Sequence, residues 1–101
     1  MHFNEIHWHD TLIRSITIDT EKAELRMRVD YPVNWEGNEY EQREIIFSDA
    51  HGYREIEGPF AGSQTILSAN ITPAGQFYLV RLETNAGYRE VGCSNVQFAP
   101  S

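Results

Sequence analysis

Between Ala23 and Tyr31 apolar side chains recur at every second position. Ala23, Leu25, Met27, Val29 and Tyr31 alternate with Glu24, Arg26, Arg28 and Asp30. Ala, Glu, Leu, Arg and Met are good helix formers, yet apolar groups spaced by two would wrap around a helix instead of lining one stripe of it. On an extended chain the same spacing puts all of them on one face. Burial pattern outweighs propensity, and the segment is predicted to be a half-buried strand.

The same reading extends along the chain. Thr11 to Asp19 alternates, with Leu12, Ile16 and Ile18 on one face beside Arg14, and Thr11, Ser15, Thr17 and Asp19 on the other beside Ile13. The polar stretch Asp19-Thr20-Glu21-Lys22 joins these two strands as a hairpin turn. Further strands are expected over Glu39 to Ser48, Tyr53 to Glu57, Thr65 to Ile71, Gln76 to Thr84, Tyr88 to Cys93 and Asn95 to Phe98. Asp49-Ala50-His51-Gly52 and Asn85-Ala86-Gly87 read as hairpin turns, each ending in the residue that accepts a positive φ. Pro59, Gly62, Pro73 and Gly75 interrupt regular structure, and Gly58 to Asn70 could hold one helical turn. The expected fold is all-β: an antiparallel sandwich or partly closed barrel of about seven or eight short strands with hairpin connections. Its 101 residues fit one domain over 1–101.

One internal echo crosses this pattern. Gly52-Tyr53-Arg54-Glu55-Ile56 returns as Gly87-Tyr88-Arg89-Glu90-Val91. It reads either as a duplicated hairpin or as two hairpins that converged on good return-strand residues.

Charge and cysteine content narrow the function classes. Eight Lys and Arg stand against fifteen Asp and Glu, a net charge of −7, and Lys22 is the one lysine. Phosphate backbones are bound mainly through Lys and Arg, so neither nucleic acid nor an anionic membrane is an expected partner. A basic protein partner would suit the acidic surface. No apolar run approaches the ~20 residues that span a bilayer. Met1 to Asp10 lacks the basic start and apolar core of a secretory signal. A single cysteine, Cys93, fits a reducing compartment, so a cytoplasmic location is expected. A homodimer through exposed strand edges is open.

Few residues suggest chemistry. On an extended chain His7 and His9 project to one side, and Asp10 could orient a histidine or add a carboxylate to a metal. A metal site needs three or four ligands, and these residues could equally begin the first strand and pair with its neighbours. No nucleophile elbow, phosphate loop or dinucleotide-binding glycine pattern occurs, and no cofactor is expected. The carboxylates fall mostly on the polar phase of strands, as solvated groups do. Cys93, in phase with Val91, reads as a buried and inert thiol. The loop from Tyr31 to Tyr40 combines rings, amides and acids. There Trp35 and Tyr40 would serve as a protein anchor or a sugar platform, or Trp35 would fold back as a lid on the sandwich.

His9-Asp10-Thr11-Leu12-Ile13-Arg14-Ser15-Ile16, followed by the strand through Leu25, Met27 and Val29, resembles the opening of small bacterial β-rich proteins of uncharacterised or immunity-protein type. The resemblance implies action by binding, the immunity members blocking a toxin partner; His9 and Asp10 are the only positions to which it carries a role, and they could equally lock the first strand to a neighbour. The expected function is therefore a non-enzymatic protein-interaction domain with His9, Asp10, Trp35 and Tyr40 as candidate contact residues. Two alternatives stand beside it: a small-ligand or carbohydrate-binding module, and a metal-dependent enzyme built on His7, His9 and Asp10.

Overall fold

The computed structural model describes residues 2–34, 36–58 and 64–100. The alternation becomes antiparallel strands: β1 Leu12–Asp19, β2 Glu24–Asn34, β3 Glu39–Ser48, β4 His51–Glu57, β5 Gln64–Ala74, β6 Phe77–Thr84, β7 Gly87–Cys93 and β8 Asn95–Pro100. They make one eight-stranded sheet in the order β4-β7-β6-β5-β1-β2-β3-β8. At its centre β1 meets β5 only through Leu12–Thr65 and Ile13–Gln64. The sheet is therefore hinged there into two four-stranded halves, β1-β2-β3-β8 and β5-β6-β7-β4. The halves enclose one core: Leu25, Met27, Ile45, Phe47 and Val96 of the first share a buried cluster with Ile66, Val80, Leu82, Val91 and Cys93 of the second. No β4–β8 ladder closes a barrel among the described residues.

Each half is built by the same connectivity. A three-strand meander, β1-β2-β3, is followed by β4, which crosses to the outer edge of the other half; β5-β6-β7 followed by β8 repeats the move. The correspondence reaches individual residues. A bulge between Ile13 and Ser15 sets Ile13, Ile16 and Ile18 opposite Val29, Met27 and Leu25. A bulge between Ile66 and Ser68 sets Ile66, Ala69 and Ile71 opposite Thr84, Leu82 and Val80. The extra residue shifts the phase of each strand, which is why Ile13, and not Leu12, joins Ile16 and Ile18 on the inner face.

Three expectations change. Asp49 to Gly52 is no hairpin turn: β3 pairs with β2 and β8, whereas β4 pairs with β7. Both flanks of β3 are taken, so the chain leaves through Asp49–Ala50, and His51 begins β4 instead of sitting in a turn. The second crossing is Ser94 alone, whose N–H donates to Ser48 O at 2.9 Å and whose hydroxyl donates to Asp49 Oδ2 at 2.5 Å. Gln64 to Asn70 is strand and not helical turn, since its bulge turns Ile66 and Ala69 inward; 59–63 lie outside the described residues. The supposed loop from Tyr31 to Tyr40 is largely a two-stranded arm in which Pro32 faces Tyr40. Proline fits there because β1 pairs with β2 only as far as Asp30, so its missing N–H breaks no second ladder.

Before β1 the chain makes one 3₁₀ turn, Phe3–Glu5, and buries Phe3, Ile6 and Trp8 in the core. The Trp8 indole N–H donates to Phe3 O at 3.0 Å. His2 N–H donates to Val96 O and Phe98 N–H donates to His2 Nδ1, which seals part of the outer edge of β8.

Candidate functional site

At one place where the halves differ in chemistry, the inner face is open to solvent. In the first half Ile45 of β3 lies opposite Met27 and Phe98. Its counterpart is Arg89 of β7, opposite Leu82 and Glu55. Where β8 supplies Val96 and Phe98, β4 supplies Tyr53 and Glu55. The aliphatic and aromatic set is packed over by Tyr31, whose ring lies 4.8 Å from that of Phe98. The polar set faces a cleft of about 450 Å³ lined also by Ile13, Ile16 and Ile18 of β1.

The cleft joins an apolar wall to a fixed polar floor. Ile18 faces the core side of β1, opposite Leu25, yet is 53% exposed because the halves diverge here. The Arg89 side chain is only 11% exposed, and its guanidinium is held from several sides. Nε donates to Gln64 Oε1 at 2.7 Å and Nη1 to the Tyr53 hydroxyl at 2.6 Å, with Glu55 completing an ion pair. The Tyr53 hydroxyl in turn donates to Glu55 Oε2 at 3.0 Å. Such a planar, multiply bonded guanidinium loses little freedom when a ligand arrives. At the rim Arg14, set out by the β1 bulge, pairs with Asp30 through Nε at 2.6 Å.

Burial pushes the Tyr53 hydroxyl above its ordinary range, with Arg89 pulling the other way. The neutral form is thus favoured in the folded state. As pH rises past about 10 an unfolded tyrosine ionises first, so the stability Tyr53 contributes is complete below that pH and is lost as pH climbs through the folded value. Burial likewise raises the Cys93 thiol. In a Cys93→Ala background, Tyr53→Phe should therefore lose less stability than its parent between about pH 9.5 and 11. Urea titrations at the two pH values measure this, and matching alkaline losses would refute it.

Among the described residues, none of the contact residues expected from the sequence lines this cleft. His9 and Asp10 tie the segment before β1 to the edge of β5. His9 Nδ1 lies 2.9 Å from Leu67 O, and Asp10 N–H donates to Ile66 O at 2.9 Å from a left-handed φ of 69°. His7 gives its backbone N–H to the Tyr31 hydroxyl, and its ring meets that of His9 edge-on at 6.4 Å. Among the described residues no three His, Cys, Asp or Glu side chains come together as a metal-binding group. Tyr40 is half-exposed on the β2–β3 arm, and Trp35 lies outside the described residues. Cys93 is fully buried.

The echo passes through this site but is not the fold's own repeat. Its copies lie on β4 and β7, paired antiparallel with Arg54 opposite Glu90 and Glu55 opposite Arg89. The connectivity matches β4 with β8 and β7 with β3, so the copies occupy non-equivalent strands. They also run in opposite phase: Tyr53 and Glu55 face inward with Arg89, while Arg54 and Glu90 face outward. The sequence signal that could have found the site is this phase. Arg89 sits on the apolar beat of β7, in step with buried Val91 and Cys93.

No family model matches the sequence, and no curated protein matches it. Among solved structures it is similar to the crystal structure of an uncharacterized protein from Neisseria gonorrhoeae. The TM-score is 0.63 at 10% identity, over 92% of this chain and 93% of the other. That likeness shows a shared fold.

Proposed function

We propose that the protein is a binding domain that holds an extended, basic segment of a protein partner in the cleft between β1 and the β4–β7 pair. Ile18 carries this reading: it belongs to the core face of its strand, stands half-exposed, and shares a ready-made cleft with Ile16 and the Arg89 network. An extended peptide offers side chains at every second position, which matches the Ile16–Ile18 spacing. The net charge of −7 favours a basic partner and speeds its encounter, and Glu55, 43% exposed, is the acid within reach in the cleft. A toxin is the form such a partner takes if the resemblance of His9 to Ile16 to immunity-type proteins extends to function.

A hexapeptide array probed with labelled protein, followed by titration of the selected peptides, tests this reading. Selected sequences are expected to be basic with apolar residues at alternate positions, and Ile18→Asp should bind them at least roughly tenfold more weakly. An array without enrichment, or undiminished binding by the variant, would remove the proposal.

A further inference from the structure

The outer face of the second half, opposite the cleft, carries a smaller depression of about 260 Å³. Phe77 and Leu79 of β6 and Ala74 of β5 form its apolar walls. Its one distinctive polar group is His51 of β4. The ring leans over Gly92 of β7, its register partner, so closely that a Cβ on Gly92 would lie 2.4 Å from Nε2. Only a residue without a side chain lets the imidazole rest there. The ring meets Phe77 edge-on, centroids 4.7 Å apart.

The tautomer follows from the partner of the other nitrogen. His51 Nδ1 lies 2.8 Å from Asp49 O. A carbonyl oxygen only accepts, so Nδ1 carries the proton, and the neutral ring presents Nε2 as an acceptor lone pair. The nearby carboxylate of Glu90 is already engaged by Arg81 at 3.2 Å. The depression therefore combines an apolar, partly aromatic wall with the His51 Nε2 acceptor, and Tyr78 also lines it. Arg54 at its rim opposes a cationic ligand and Glu90 an anionic one.

We propose that this depression binds a phenol ring, the ring lying against Phe77 and Leu79 and its hydroxyl donating to His51 Nε2. Aromatic edges favour the face of Phe77, and a hydroxyl that meets a fixed acceptor separates a phenol from a plain hydrocarbon ring. The same chemistry is offered by a free phenol and by a tyrosine side chain.

Titrations of the full chain with p-cresol, N-acetyl-tyrosinamide and toluene, followed by the Leu79 and Ala74 methyl resonances, test the assignment. p-Cresol should produce saturable shifts and bind more tightly than toluene. His51→Phe keeps a ring against Phe77 and removes the acceptor; it should weaken p-cresol by roughly tenfold and leave toluene unchanged. Gly92→Ala, which displaces only the tip of a side chain, should likewise erase the preference for p-cresol over toluene. Tighter binding of N-acetyl-tyrosinamide than of p-cresol assigns the site to a polypeptide's tyrosine, and the reverse order to a free phenol. Absence of saturable shifts with p-cresol, equal affinity for p-cresol and toluene in the parent, or equal weakening of both by His51→Phe would overturn the proposal.

Discussion

Phe47→Ala should lower the free energy of unfolding by about 3–5 kcal/mol, the largest loss expected from one truncation in this chain. Phe47 is fully buried in β3, flanked in register by Leu25 on β2 and Val96 on β8. Phe47 and both neighbours belong to the cluster shared by both halves. Truncation removes the transfer energy of a ring and leaves a cavity that strands pinned on both sides cannot collapse to fill. A domain of this size is stable by only about 5–15 kcal/mol, so the loss is a large share of the whole. Urea unfolding should show a lower midpoint with an unchanged slope. Ile18→Ala, at the cleft mouth, should cost less than about 1 kcal/mol, because half of that side chain is already in water. Equal costs at the two positions would mean that the halves do not share one core.

The strands were legible because burial is periodic. Leu25, Met27 and Val29, and likewise Val80 and Leu82, occupy the inner face that their spacing assigns. What the spacing hides is a phase change inside a strand. Leu12, Ile16 and Ile18 look like one face only until the bulge at Arg14 swaps Leu12 for Ile13, and nothing in the local composition marks that extra residue. Strand pairing was illegible for a related reason. A turn ending in Gly52 looks the same whether the next strand returns beside β3 or crosses to β7, and the choice rests on β8, far along the chain. His9 and Asp10 stood out as chemistry, yet their partners are backbone groups of Leu67 and Ile66 on β5. The cleft was visible only as a discord: a charged residue, Arg89, on the apolar beat of β7. Three of the groups around it, Tyr53, Glu55 and Gln64, come from two other strands and could not be assembled before the fold was known.

Arg89→Met should cost about 2–4 kcal/mol, less than Phe47→Ala and by a different mechanism. Methionine retains most of the stem's packing, so the loss comes from the groups left behind. Gln64 is buried, and its Oε1, deprived of the Arg89 donor, faces a desolvation cost of roughly 1–3 kcal/mol. The Tyr53 hydroxyl can still donate to Glu55. Glu55 is close to half exposed and can be rehydrated, so the ion pair itself contributes little. The first half of the sheet does without any of this: Ile45 and Phe98 fill the corresponding places. Polar groups on the inner face of the second half are therefore a requirement of the cleft and not of the fold. It follows that Arg89→Met/Gln64→Leu, which removes donor and acceptor together, should recover at least half of the stability lost by Arg89→Met alone. The same double variant should bind the selected peptides less well than the parent protein, because the cleft floor no longer presents fixed polar groups. A double variant less stable than Arg89→Met would show that the guanidinium supports the fold through contacts other than Gln64, and the cleft would then be a by-product of packing.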